Sequence, residues 1–182
     1  QEEELRQNME ELSATQEKMT NDQAELTTRI DVMNTTSIIS ESDLQGNILF
    51  INDKFCEVSQ FTREELIGKP HSTVRHPDTP KETFRELWQT IKAGKIFRGV
   101  IKNRKKDGSP YYVDAVIAPV MDENGKPKKY IGVRYDITES EIERQKMKGI
   151  LGAVNLGFAF IEFDVNGIVQ EANENFLKIM GY

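Results

Sequence analysis

Two places in the 182-residue sequence gather side chains able to do chemistry. Arg75-His76-Pro77-Asp78 sets a fixed cation, an imidazole and a carboxylate within one short run. Such a run can hold an anionic ligand. It can equally shape a loop, with Arg75 and Asp78 as a local ion pair. The second place is Asn103. By two-residue alternation Phe97, Gly99, Ile101 and Asn103 share one face of a strand, and Arg98, Lys102 and Arg104 take the other. The charged face meets water, so Asn103 points inward from an apolar face, where a buried amide needs partners. Those are core groups or the polar edge of a ligand, and spacing leaves both open.

Other chemistries find less support. Haem needs an axial His on a helix facing a pocket, and both histidines, His71 and His76, precede the helix expected from Pro80. Two lone His in a loop make a poor metal set. Cys56 is the single cysteine, so no internal disulfide and no cysteine cluster can form. It falls in a short helix and reads as a buried, inert thiol rather than the partner of a light-driven flavin–thiol bond. No nucleophile–base set, phosphate-cradling glycine loop or carboxylate pair is present, so the expectation is a protein without enzyme activity.

The elements that position these residues start with an acidic segment. Residues 1–34 hold nine acids and three bases, the whole of the net charge of −6. Leu5, Leu12, Met19, Leu26 and Met33 recur every seventh residue, and Met9, Gln16, Gln23 and Ile30 interleave at four–three spacing. That is a coiled-coil seam, and two Gln within it weaken the seam while fixing its register. A parallel homodimer is expected. Residues 75–106 hold ten bases and three acids. The excess is a solvated hairpin face or a patch near a phosphate-bearing ligand; nucleic acid is not expected at a pI near 5.1. No apolar run is long enough to span a membrane. The start, Gln-Glu-Glu-Glu, has no initiator Met and no signal-peptide character. The expectation is a cytoplasmic piece of a longer chain, without direct membrane contact.

The middle predicts an α+β layer. Residues 36–42 and 48–51 read as strands about an Asp43-to-Asn47 turn. Thr62-x-x-Glu65 is a capping box. Thr79-Pro80-Lys81-Glu82 predicts an N-cap Thr with Pro at the first helical position, opening a helix with Phe84, Leu87, Trp88 and Ile91 on one face and Gly94 at its end. Strands follow at about 96–105, 110–121 and 128–138, joined through Asp107-Gly108 and Asn124-Gly125 as tight hairpins. The sum is a five-stranded antiparallel sheet with short helices on one face, preceded by a long coiled-coil helix. Thr138-x-x-Glu141 predicts a capping box opening a linker helix. Beyond it the start repeats: Asp43, Gly46, Asn52 and Phe55 recur as Asp164, Gly167, Asn173 and Phe176, each 121 residues on. The expected domains are a helix at 1–34, a domain at 35–138, a linker helix at 139–154 and the truncated start of a second domain at 155–182.

Several of these motifs resemble a known family. Asp43-Leu-Gln-Gly-Asn-Ile, Asn52-Asp53-x-Phe55, Phe61-x-x-Glu64-Glu65-Leu66-Ile67-Gly68 and the exit Asp136-Ile137-Thr138 are similar to a PAS sensor domain. The stretch Pro70-His71-Ser-Thr-Val-Arg75-His76-Pro77-Asp78, with Leu87-Trp88 and Lys102-Asn103-Arg104, resembles the aerotaxis-receptor branch, which binds FAD non-covalently and reports redox state or oxygen. The resemblance implies cofactor-binding roles for Arg75, His76, Asp78 and Trp88, with Phe84 in the same slot and Asn52 and Asn103 as polar pocket residues. Phe97 departs from the Trp usual there. Asp136, Ile137 and Thr138 would carry the signal into the outgoing helix. The implied function is a sensory and relay module of a bacterial histidine kinase or chemoreceptor, with a downstream domain and an output domain in the same chain. The alternative is a ligand-free dimerisation and spacer module.

Overall fold

The computed structural model describes residues 2–181. Helix α1, Glu2–Thr36, is uninterrupted by Gly or Pro, and Glu2, Glu3 and Glu4 complement the partial positive charge of its first turn. None of its residues is buried, and the seam residues stay open, from Met33 at 42% to Leu12 at 70% exposure. The helix runs two residues past the expected 34, and strand β1, Ile38–Ser42, starts after the single residue Ser37. Ser37 is fully buried and its N–H still donates to Met33 O at 2.8 Å.

Strands β1, β2 (Ile48–Ile51), β3 (Phe97–Arg104), β4 (Pro110–Met121) and β5 (Pro127–Asp136) form one antiparallel sheet in the order β2-β1-β5-β4-β3. The five-stranded sheet expected from the sequence is therefore present. Helices α2 (Asp53–Ser59), α3 (Arg63–Leu66) and α4 (Lys81–Lys92), with a 3-10 turn at His71–Val74, lie between β2 and β3 in the chain. The core joins Ile38, Ile48 and Ile51 to Phe55, Leu66 and Ile91, from strands and helices alike. The alternation holds on β3: Phe97, Ile101 and Asn103 are buried, and Arg98 and Arg104 are exposed.

Several local expectations change. The Thr62–Glu65 capping box forms, with the Glu65 carboxylate accepting from Thr62 N–H at 2.9 Å. Thr79 is not the cap of α4. Pro80 takes that position, because the Thr79 hydroxyl donates instead to Lys102 O at 2.6 Å and pins the loop to β3. The turns at Asp107-Gly108 and Asn124-Gly125 sit in five-residue connections, 105–109 and 122–126, rather than two-residue hairpins. Asp107 and Asp122 carboxylates accept from Ser109 and Lys126 N–H, closing each loop locally. Strand β5 ends at Asp136 rather than 138, and Ile137, not Thr138, is the cap of the next helix.

The chain divides between Asp136 and Ile137 into two units. The second contains α5 (Thr138–Gly157), longer than the expected 139–154, then β6 (Ile161–Phe163), β7 (Val169–Ala172) and α6 (Glu174–Met180). Strands β6 and β7 pair antiparallel with each other. The sequence repeat is also a hydrogen-bond repeat. Asn52 Oδ1 accepts from Ile39 and Phe55 N–H, and its Nδ2 donates to Ser37 and Asn34 carbonyls. Asn173 does the same with Phe160, Phe176, Phe158 and Asn155, every partner displaced by the same 121 residues.

Candidate functional site

A cavity of about 290 Å³ opens between α4, the 3-10 turn and the inner face of the sheet. Its helical wall is apolar because Phe84, Leu87, Trp88 and Ile91 share one side of α4. Trp88 is set edge-on to Tyr130 of β5, with ring centroids 5.9 Å apart at 81°. Gly46 lets that ring come close: its φ is +89°, and a Cβ there would lie 2.9 Å from Trp88.

The polar groups arrive from three directions. Arg75 follows the 3-10 turn, and its backbone bridges to Asn103, which brings loop and strand together. Its guanidinium lies 4.1 Å over the Phe84 ring and donates to Thr79 O at 3.4 Å. Asn103 is 8% exposed and lies across from Tyr111, whose buried phenol is pushed up to about 12 by loss of hydration. On the floor, Arg134 of β5 is buried and its Nη1 donates to Ser40 Oγ of β1 at 2.8 Å. Burial draws its pKa down to about 10, still fully protonated at neutral pH.

His71 completes this group, with Nε2 3.2 Å from Ser40 Oγ. Burial first, and then the nearby Arg134 charge, lower its pKa to about 3, so the ring is neutral near pH 7. The folded pKa lies below the ordinary value of 6.5, so the unfolded chain binds the extra proton and stability falls as pH drops through that value. Between pH 7 and pH 5 the loss is expected to be about 2 kcal/mol from this ring. Urea titrations at the two pH values, with His71→Gln as the control that removes this difference, provide the measurement.

Four of the expected site residues, Arg75, Phe84, Trp88 and Asn103, line the cavity, and four do not. Asn52 is spent in the hydrogen-bond clasp between α1, β1 and α2, so its amide faces backbone and not the cavity. His76 Nδ1 accepts from Asp78 N–H at 3.2 Å and shapes the loop. Asp78 is exposed and pairs with Lys102 Nζ at 2.9 Å, which holds its carboxyl below the usual range; Lys102, not Arg75, is its partner. Phe97 is buried in the core. The basic excess is likewise dispersed: Lys106 pairs with Glu65, and Lys92 lies 5.4 Å over Trp88. Cys56 is on α2, packed against the core, and desolvation raises its pKa. Among the described residues no cluster of His, Cys, Asp and Glu could hold a metal ion, and no helix is long and apolar enough to cross a membrane.

Sequence reasoning missed Arg134, His71 and Ser40. The alternation that singled out Asn103, applied to β5, puts Tyr130, Gly132 and Arg134 on the inward face together.

An antiparallel sheet whose inner face, with one helix and short turns, encloses a cavity is the architecture expected from the motifs. Residues 48–134 match the PAS fold family, so the chain carries a PAS domain within the sheet that runs from Ile38 to Asp136. The chain is similar to the Aerotaxis receptor of Escherichia coli (strain K12), 44% identical over 107 residues, which are 59% of this chain and 21% of that protein. It is also similar to the Biofilm dispersion protein BdlA of Pseudomonas aeruginosa, 34% identical over 143 residues, 78% of this chain and 34% of that protein. The chain thus spans about a fifth to a third of the length of these curated relatives. Among solved structures, an RNA-binding light-oxygen-voltage receptor aligns with a TM-score of 0.57 at 18% identity, over 64% of this chain and 34% of that one. The LOV domain of the Erythrobacter litoralis EL346 blue-light activated histidine kinase aligns at 0.52 and 16%, over 56% of this chain and 95% of that one. At such identities these two show the fold.

Proposed function

We propose that the chain is a sensory and relay module of a bacterial signalling protein, and that its PAS cavity holds the ring system of a non-covalent flavin, FAD. The observation that carries this reading is the cavity itself. About 290 Å³ suits one planar ring system, with the remainder of a dinucleotide lying outside. Trp88 and Phe84 give it an aromatic wall, and Asn103, Arg75 and Arg134 bring donors to its edges. Bound there, the flavin would supply the electron-accepting chemistry. The residues of the chain do the rest. Asn103 meets the polar ring edge from the inward face of β3, Arg75 holds a negative group near the loop, and the α4 wall excludes water. The exposed seam of α1 fits a parallel homodimer, and the junction Asp136-Ile137-Thr138 fits a relay into α5. In this reading residues 155–182 begin a second PAS domain, and the output, of histidine-kinase or chemoreceptor type, lies in the same protein.

A visible absorption spectrum of the purified chain tests the cofactor. Flavin bands that leave with the supernatant on denaturation are expected, with retention at least tenfold lower in Asn103→Leu. Absence of the bands both as purified and after reconstitution with FAD would leave the second reading, a ligand-free dimerisation and spacer module, which the exposed α1 seam also supports.

A further inference from the structure

We propose that Arg134, with Ser40 and His71, forms a subsite for the negatively charged edge of a planar ligand, and that its occupation acts on β1 and β5 together. Arg134 is 7% exposed and lines the cavity. Its Nη1 donates to Ser40 Oγ at 2.8 Å and to Gly132 O at 3.4 Å. Its Nε and Nη2 have no protein partner among the described residues. No side-chain nitrogen sealed from solvent in the described structure lacks a hydrogen bond, so these two nitrogens keep some contact with solvent, and Arg134 lines the cavity. The guanidinium therefore offers part of its planar fork to whatever enters, the geometry that suits a carboxylate or a similar two-atom anionic edge.

The charge balance points the same way. Two arginines, Arg75 and Arg134, line the cavity, and no Asp or Glu does among the described residues. Arg134 has no ion-pair partner there either. A buried cation without a counter-charge is costly, and an anionic ligand edge would relieve that cost. His71 is held neutral and so adds no second positive charge beside it. Space for the guanidinium comes from Gly132, two residues earlier on the same face: a Cβ there would sit 2.7 Å from the Arg134 nitrogens. Asn103 and Tyr130 face the same cavity from β3 and β5 without bringing a negative charge at neutral pH.

The position links the ligand to both ends of the domain. Ser40 lies on β1, the strand entered from α1, and Arg134 lies on β5, which ends at Asp136. The two strands are neighbours, with Arg134 opposite Ile38. An anion held by Nε and Nη2 pulls on the same guanidinium that Ser40 Oγ holds at Nη1, and so bears on both strands at once. Where the ligand is flavin, a point that rests on the reading above, the subsite favours the reduced ring, which carries negative charge, over the oxidised one.

The test compares the wild-type chain with Arg134→Gln and Arg134→Lys, each first checked for wild-type dispersion of amide NMR signals. On flavin-free protein the probes are benzoate and its neutral analogue benzamide, followed by NMR titration. Benzoate is expected to bind at least tenfold more tightly than benzamide to the wild type, with the preference lost in Arg134→Gln and partly kept in Arg134→Lys. Equal binding of the two probes, failure of benzoate to bind the folded wild type, or a preference that survives Arg134→Gln would overturn the proposal. On FAD-loaded protein, Arg134→Gln is expected to lower the preference for the reduced form tenfold, a fall of about 30 mV in midpoint potential for a two-electron couple. An unchanged potential overturns the flavin part. If the chain takes up no FAD, the flavin reading fails, and the benzoate comparison still decides the subsite.

Discussion

Asn52→Ala is expected to destabilise the PAS domain by about 3 kcal/mol, the sum of a lost helix cap and at least one orphaned buried N–H. The Asn52 side chain accepts from Ile39 N–H at 2.9 Å and Phe55 N–H at 3.1 Å, and donates to Ser37 O at 2.7 Å and Asn34 O at 3.1 Å. Alanine removes all four. Phe55 N–H keeps its contact to Asn52 O, but Ile39 N–H has no substitute in a buried strand. Urea unfolding followed by circular dichroism gives the measurement. The built-in comparison is Asn173→Ala, which breaks the same four bonds in more exposed surroundings, where water replaces them, and is expected to cost about 1 kcal/mol. Equal losses at the two sites would show that burial is not what makes the Asn52 clasp strong.

Gly46→Ala carries the second large effect. The residue sits at φ +89°, and its new methyl would meet two carbons of the Trp88 ring at 2.9 Å. Both the backbone and the contact object, so a loss of about 3 kcal/mol is expected. Because Trp88 is the one tryptophan, its fluorescence reports the displacement of the cavity wall directly, as a shift to the red. Gly108→Ala separates the two causes. Its φ is +91° with nothing within 4 Å of a Cβ, so it carries the backbone cost, about 1 kcal/mol, with the Trp88 emission unchanged. An unshifted Trp88 emission in Gly46→Ala would mean that the ring does not lean on this turn.

The fold was legible where one local rule acts without competition. Alternation gave the faces of β3, and the spacing of Phe84, Leu87, Trp88 and Ile91 gave the wall of α4. The site was half legible. Arg75, Phe84, Trp88 and Asn103 meet at the cavity because a loop bridge and a strand face bring them together. His76, Asp78 and Asn52 were read as ligand-facing from the resemblance to the aerotaxis-receptor branch, but each has a nearer partner: a backbone N–H, Lys102, and the ends of α1 and β1. Thr79 illustrates the same competition. It looked like a helix cap from its neighbours in sequence, yet Lys102 O on another strand takes its hydroxyl. Such long-range partners leave no local spacing to read. Arg134 was missed for a different reason: a charged side chain in a strand suggests the wet face, and only its phase with Tyr130 and Gly132 says otherwise.

The single residue between α1 and β1 has a mechanical consequence. Ser37 is fully buried, bonded back to Met33 O, and its own carbonyl is held by Asn52, so no slack separates the long helix from the sheet. Rotation of α1 about its axis is therefore geared to β1. Each residue inserted before Thr36 would turn the upstream seam by about 100° relative to the sheet, and seven would bring it back to within about 20° of where it began. Helix length upstream of the domain thus sets an angular phase, and one- and seven-residue insertions are opposite perturbations of the same gear despite their similar chemistry.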